Sequence, residues 1–152
     1  MDLFQFCSKK TEKLITEKYE TVDDVINSSN SVMVANILIL SHYFVIEEWE
    51  LMVQKSMSKI QNQLVENPAF YSHWATVFLL LQKGLETIVA SNANIDVQKF
   101  VAIKKENTLL GISSINTNIP LFKGKCSEKE MYYVCKGKTC LAPESNLENL
   151  KL

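Results

Sequence analysis

One segment of the chain, residues 32–46, is apolar on nearly every side when it is wound into a helix. It reads Val-Met-Val-Ala-Asn-Ile-Leu-Ile-Leu-Ser-His-Tyr-Phe-Val-Ile. It is too short to cross a bilayer, which needs roughly 18–20 apolar residues, and Asn36, Ser41 and His42 interrupt it. We therefore predict a helix over about 30–46 that other protein segments must enclose on most sides.

Two further helices are predicted after this segment. In residues 47–66 apolar side chains recur every three or four positions, and polar side chains lie opposite them. Asn67-Pro68 then ends this helix and starts another, because proline is tolerated only near a helix start. That third helix is expected to end at Lys83-Gly84, where glycine can adopt a left-handed cap.

The pattern changes after Gly84. Residues 85–90 and 108–113 are typical of strands, and residues 96–105 of a short helix between them. A strand, a helix and a strand over this length predict a right-handed βαβ unit with parallel strands. Residues 119–122 and 131–135 are predicted to be extended, and residues 145–152 to form a final helical turn or two. We thus expect a mainly α chain with a small α/β tail, divided into domains 1–84 and 85–152.

Composition excludes some classes of partner. The chain has 16 Lys and Arg against 17 Asp and Glu, which gives a net charge of −1 and no strong field. Nucleic acid and anionic membrane are therefore not expected as partners. The N-terminus has no basic start followed by an apolar run, so a secretory signal is not expected. We therefore expect a cytoplasmic location. No cofactor is predicted.

Two blocks of sequence resemble a family of thioredoxin domain-containing proteins, the spermatogenesis-associated protein type. The first block contains Asp23, Ser28, Asn30 and Ser31 just before the apolar helix. The second, a closing signature, contains Pro120-Leu121, Tyr133-Val134-Cys135, Cys140 and Pro143. Members of this family look like a thioredoxin-like domain followed by a six-hairpin (α/α) toroid, similar to glycosidases and N-acylglucosamine 2-epimerases, with a short α/β tail.

The resemblance implies that the chain is a C-terminal fragment that holds about three toroid helices. Its first expected function is structural, as part of a carbohydrate-active or epimerase-like toroid without activity of its own. The implied partner is the missing N-terminal part of the toroid or a second copy, and a small carbohydrate is a possible ligand of the full-length protein. The alternative is a redox-linked interaction module that uses Cys135 and Cys140. No catalytic residue can be named from the sequence.

Cys135 and Cys140 are the redox candidates. Their spacing is longer than that of the redox Cys-x-x-Cys motif. Packed thiols are the first expectation, since cytoplasmic cysteines are normally reduced. A disulfide across the turn between them is a second possibility and requires Cα atoms within about 7 Å. A metal site is a third, although zinc would want four ligands, and no metal is predicted.

Asp23, Ser28, Asn30 and Ser31 are the candidates for a ligand-facing site. In a helical toroid, the loops that precede inner helices lie at the rim of the central cavity, where they can face a sugar-like ligand. The alternative is that these side chains cap free amides at the helix start. Trp49, Trp74 and Phe78, by contrast, are expected in the core rather than as a platform for a sugar ring.

Overall fold

The computed structural model describes residues 3–5, 8, 10, 18–91, 94–114, 117–137 and 139–150. These residues form α-helices and one mixed β-sheet, in the order α1 (Ser29–Phe44), α2 (Glu47–Glu66), α3 (Ser72–Lys83), β1 (Glu86–Ser91), α4 (Val97–Ala102), β2 (Thr108–Ser113), β3 (Met131–Lys136) and β4 (Thr139–Cys140). Single 3₁₀ turns lie at Pro68–Phe70, Pro120–Phe122 and Leu147–Asn149. Within the described ranges, no helix combines the length and hydropathy that a membrane crossing requires.

The chain divides into two compact units. The first contains Met1–Ser41 and Ile46–Gln82, and the second contains His42–Val45 and Lys83–Leu152. The main division therefore lies two residues before the boundary expected at 84/85. The short segment at the end of α1 that belongs to the second unit was not foreseen.

The buried apolar side chains described in the first unit come from α1, α2 and α3, together with Tyr71 directly before α3. They are Val34, Leu38, Val53, Met57, Ile60, Tyr71, Trp74 and Val77. In α2 the buried residues Val53, Met57 and Ile60 follow the predicted amphipathic spacing. In α1 the buried positions Val34, Leu38 and Ser41 also lie on one side of the helix. Its other side is apolar as well, and Val32, Met33 and Leu40 there are 38–44% exposed. The described chain thus leaves one side of this apolar helix open, and the expected enclosure on most sides would need segments other than these.

The helix breaks lie close to where the sequence places them. The Asn67 amide donates to the Gln63 carbonyl and closes α2. Pro68 starts a 3₁₀ turn, not an α-helix, and α3 begins only at Ser72. Gly84 follows α3 with φ +72°, the left-handed conformation expected for a glycine cap.

The second unit contains a four-stranded sheet with the strand order β2-β1-β3-β4. β1 and β2 are parallel and are connected through α4, which confirms the predicted βαβ unit. α4 is shorter than predicted and starts after Asp96, whose side chain accepts hydrogen bonds from the amides of Gln98 and Lys99. β3 pairs antiparallel with β1, and β4 pairs antiparallel with β3.

The core of the second unit covers one face of this sheet. It consists of Ile88, Ala90, Ile95, Phe100, Tyr132 and Val134. Near the parallel edge, a Cβ added at Gly111 would overlap the ring of Phe122. Tyr43 donates its hydroxyl to the Leu110 carbonyl over 3.0 Å, and its ring meets that of Phe122 edge-on. The prediction that residues 119–122 are extended is wrong, because Pro120–Phe122 forms a 3₁₀ turn. This turn contains Phe122, whose ring lies against Gly111.

Candidate functional site

Cys135 and Cys140 form a disulfide across the β3–β4 hairpin. The two residues lie directly opposite each other in the register, with Cα atoms 3.9 Å apart and a sulfur–sulfur distance of 2.08 Å. Lys136 and Thr139 form the last pair before the turn, and Gly137 enters it with φ +56°. Such a left-handed entry is typical of two-residue hairpin loops. Cys135 and Cys140 are therefore joined by the disulfide that was the second expectation, and they are not the packed thiols of the first.

The two sulfur-bearing residues differ in exposure. Cys135 is 2% exposed and lies opposite Thr87 of the central strand β1. Cys140, on the two-residue edge strand β4, is exposed. One side of this bond therefore belongs to the sheet interior, and the other faces solvent.

Backbone hydrogen bonds hold the segment after Cys140 against β3. The Leu141 amide donates to the Val134 carbonyl over 2.8 Å. Further along, Tyr132 and Glu144 exchange two bonds, with N–O distances of 2.7 and 3.0 Å. The disulfide is therefore not the only connection between the end of the chain and β3.

An ion pair lies next to the disulfide among the described residues. The Nζ of Lys136 lies 2.5 Å from an oxygen of Glu86, its cross-strand neighbour on β1. The lysine side chain is mostly exposed, so this pair contributes little to stability. Cys126 is a free, exposed cysteine, and Cys7 lies outside the described residues.

The Asp23 carboxylate connects the beginnings of α1 and α3. One of its oxygens accepts from the Ser28 amide at 2.9 Å and from the Ser31 hydroxyl at 2.7 Å. The other accepts from the amides of His73 at 2.9 Å and Trp74 at 3.3 Å. Ser28 is itself the cap of α1, since its hydroxyl accepts from the Ser31 amide at 3.2 Å.

Asn30 ties the start of α1 to residues that precede it in the chain. Its side-chain oxygen accepts from the Phe4 amide at 2.6 Å. Its amide nitrogen donates to the carbonyls of Phe4 and Glu20, both at 2.9 Å. The indole of Trp74 reaches the same stretch and donates to the Thr21 carbonyl at 2.8 Å.

The four predicted ligand-facing residues are thus buried and hydrogen-bonded within the protein. Asp23, Ser28, Asn30 and Ser31 are 0–2% exposed. Burial raises the pKa of the Asp23 carboxyl, but the hydrogen bonds that it accepts more than compensate, and its pKa lies below the usual 3.8. This arrangement favours the capping alternative, and the ligand-facing role stays a prediction.

A cleft of about 260 Å³ between α2 and α3 was not identified from the sequence. Its apolar lining includes Met57, Leu64 and Phe78, and its polar lining includes the amides of Gln54 and Gln61. Phe78 is 39% exposed, so it lies at this surface and not in the core as expected, whereas Trp74 is fully buried. Apolar residues at helical spacing predict a packed contact between two helices, so nothing in the sequence signals that this contact opens into a cleft.

Metal ligands do not converge in the described ranges, where no three His, Cys, Asp or Glu side chains are grouped closely enough to hold an ion. His73 lies near Asp23, but the contact uses its backbone amide and not its ring.

No protein-family model matches the chain, and neither the curated proteins nor the solved structures contain a match. The resemblance to thioredoxin domain-containing proteins therefore stays a prediction.

Proposed function

We propose that the chain is a redox-linked interaction module whose Cys135–Cys140 pair exchanges with a thioredoxin domain on another chain. The observation that carries the proposal is the disulfide across the β3–β4 hairpin, with one cysteine exposed. Exchange requires a thiolate to reach a disulfide sulfur, so an accessible bond is a precondition.

The position of the bond also supports a reversible role. The hairpin turn and the flanking backbone hydrogen bonds keep β3 and the segment after Cys140 together without the disulfide. Reduction is thus expected to leave the two thiols close to each other. A cytoplasmic location is part of the proposal, since disulfides of mesophilic cytosolic proteins are usually transient, catalytic or redox-sensing.

The test is a redox titration of the Cys135–Cys140 bond in glutathione buffers. The protein would carry Cys7→Ser and Cys126→Ser, so that only this pair titrates. We expect a midpoint between about −180 and −270 mV, the range of thiol–disulfide oxidoreductases. A midpoint below about −300 mV, typical of permanent structural disulfides, would contradict the redox proposal.

A second candidate function is structural, and the open side of α1 favours it. Val32, Met33 and Leu40 are partly exposed on a helix that contains no Asp, Glu, Lys or Arg. As the resemblance implies, this chain would then supply about three helices and the α/β tail of an (α/α) toroid of carbohydrate-active or epimerase-like type. The remaining hairpins would cover α1, and any carbohydrate would bind only to the complete protein.

A further inference from the structure

Cys140, the exposed residue of the pair, is the side from which the disulfide can be attacked. Attack by a thiolate is an in-line displacement, so the nucleophile must approach one sulfur from the side opposite to the other. Cys135 is 2% exposed and lies against the central strand of the sheet, whereas Cys140 is exposed on the edge. An incoming thiolate can therefore reach the Cys140 sulfur, and the Cys135 sulfur is shielded.

We infer that Cys140 forms the mixed disulfide with the incoming thiol and that Cys135 is the leaving and resolving thiol. This inference rests on the proposed redox function and names the order of its steps. The ligand class is a thiolate, either the small thiol glutathione or the first cysteine of a protein dithiol.

The exchange conserves the number of sulfur–sulfur bonds and of electrons. The incoming thiolate donates an electron pair to the Cys140 sulfur, a new sulfur–sulfur bond forms, and the Cys135–Cys140 bond breaks. Cys135 leaves with the electron pair as a thiolate. If the partner has a second thiolate, that group attacks the partner's own sulfur in the mixed disulfide and releases Cys140 as a thiolate. The partner dithiol is then oxidised, and the Cys135–Cys140 pair is reduced by the same two electrons.

Cys135 is placed to reverse the first step. Thr139 remains paired with Lys136, and the Leu141 amide remains bonded to the Val134 carbonyl, on either side of the cysteine pair in the hairpin. The released Cys135 thiolate therefore stays opposite the mixed disulfide, and closure is intramolecular. A mixed disulfide of the unaltered chain is expected to be short-lived for this reason.

The test compares two single-cysteine proteins in the Cys7→Ser and Cys126→Ser background. Cys135→Ala leaves only Cys140, and Cys140→Ala leaves only Cys135; alanine is chosen because it buries no hydroxyl. Each folded protein is mixed with glutathione disulfide, and the mixed disulfide is followed by intact-protein mass spectrometry. We expect the Cys140 protein to react at least about tenfold faster, because the thiolate must be accessible to react. In denaturant the two rates should become similar.

A second arm uses a thioredoxin in which the resolving cysteine of the Cys-x-x-Cys motif is replaced by serine. It is mixed with the oxidised chain, and the cross-linked residue is located by peptide mapping. A cross-link at Cys140 supports the inference, and reaction in one arm only identifies whether the small thiol or the protein dithiol is the better ligand. A cross-link at Cys135, or equal rates for the two folded single-cysteine proteins, would overturn it. A very low redox potential would refute the proposed function without affecting this order of reactivity.

Discussion

Asp23 illustrates how one side chain can organise residues that are far apart in sequence. Its two oxygens accept from groups at the start of α1 and at the start of α3. The capping of α1 by Ser28 could be predicted, because serine before an apolar helix is a common start signal. The bonds to His73 and Trp74 could not, since they depend on how the loop before α1 is placed against α3.

At this position we predict that Asp23→Asn destabilises the first unit by about 2–4 kcal/mol. The asparagine NH₂ group would face backbone amides, and buried donors would be left without an acceptor. Urea denaturation at pH 7 measures the difference. Asp24→Asn is the matched control, because Asp24 is exposed, and it should change stability by less than about 0.5 kcal/mol. Equal effects of the two substitutions would refute the role assigned to Asp23.

We also predict that the stability contributed by the Asp23 carboxylate depends on pH. Its folded-state pKa is lowered from 3.8, so its contribution is fully present above that value and is lost as the pH falls through the folded-state pKa. The stability difference between the unaltered protein and Asp23→Asn should thus be constant between about pH 5 and 7 and shrink below about pH 4. Denaturation curves at several pH values provide the measurement. A difference that stays constant down to pH 2 would contradict the lowered pKa.

Among the elements, those with a regular pattern could be predicted from the sequence. The bounds of α2 agree with the predicted 47–66 and those of β2 with 108–113, because each pattern ends at a clear break. The segment at 119–122 was predicted to be extended but is a 3₁₀ turn, in which the Phe122 amide donates to the Ile119 carbonyl. Proline at the first position of that turn favours either conformation, so local sequence could not decide.

The sequence alone does not predict that Cys135 pairs with Cys140. A five-residue separation permits several hairpin registers, and only one of them places the two cysteines opposite each other. That register is fixed by the two-residue loop that begins at Gly137. The sequence could therefore indicate a disulfide as a possibility but could not select it.

In the connection between α1 and α2, Val45 has an unfavourable backbone conformation, and its energetic cost can be measured. Val45 has φ +55°, a left-handed conformation that is unfavourable for a β-branched residue. The Ile46 amide donates to the Ser41 carbonyl at 3.0 Å. This is the 6→1 hydrogen bond of a Schellman motif, in which the left-handed residue after the helix is usually glycine. We predict that Val45→Gly stabilises the protein by about 0.5–1 kcal/mol, measured by thermal or urea unfolding.

The control for this prediction is the same substitution at Val25, which is 93% exposed and does not have a positive φ. Val25→Gly should destabilise the protein slightly, because glycine increases the conformational entropy of the unfolded chain. If Val45→Gly were as destabilising as Val25→Gly, the left-handed conformation at Val45 would carry no cost.

For the whole molecule, the two proposed roles use different units. The redox proposal depends on the sheet of the second unit, where the disulfide lies. The structural proposal depends on α1, most of which belongs to the first unit. Each can therefore be tested by substitutions that leave the other unit unchanged.

At this scale we predict that the chain associates through α1 when no other helices cover it. Met33 and Leu40 are 44% and 40% exposed, and a contiguous exposed apolar surface promotes association in water. Light scattering should give a mass that rises above 17.3 kDa with protein concentration. Replacing Met33 and Leu40 together by lysine should keep the mass at that of one chain, because two charges cannot be buried in such a contact without a large desolvation cost.

Val65→Lys provides the matched control for this association. Val65 is 76% exposed on α2, so it tests whether any added surface charge prevents association. The Val65→Lys protein should associate as the unaltered chain does, since α1 is unchanged. If the unaltered chain instead kept the mass of one molecule at high concentration, the open side of α1 would be an ordinary exposed surface. The structural proposal would then lose the observation that favours it, while the disulfide and its chemistry would be unaffected.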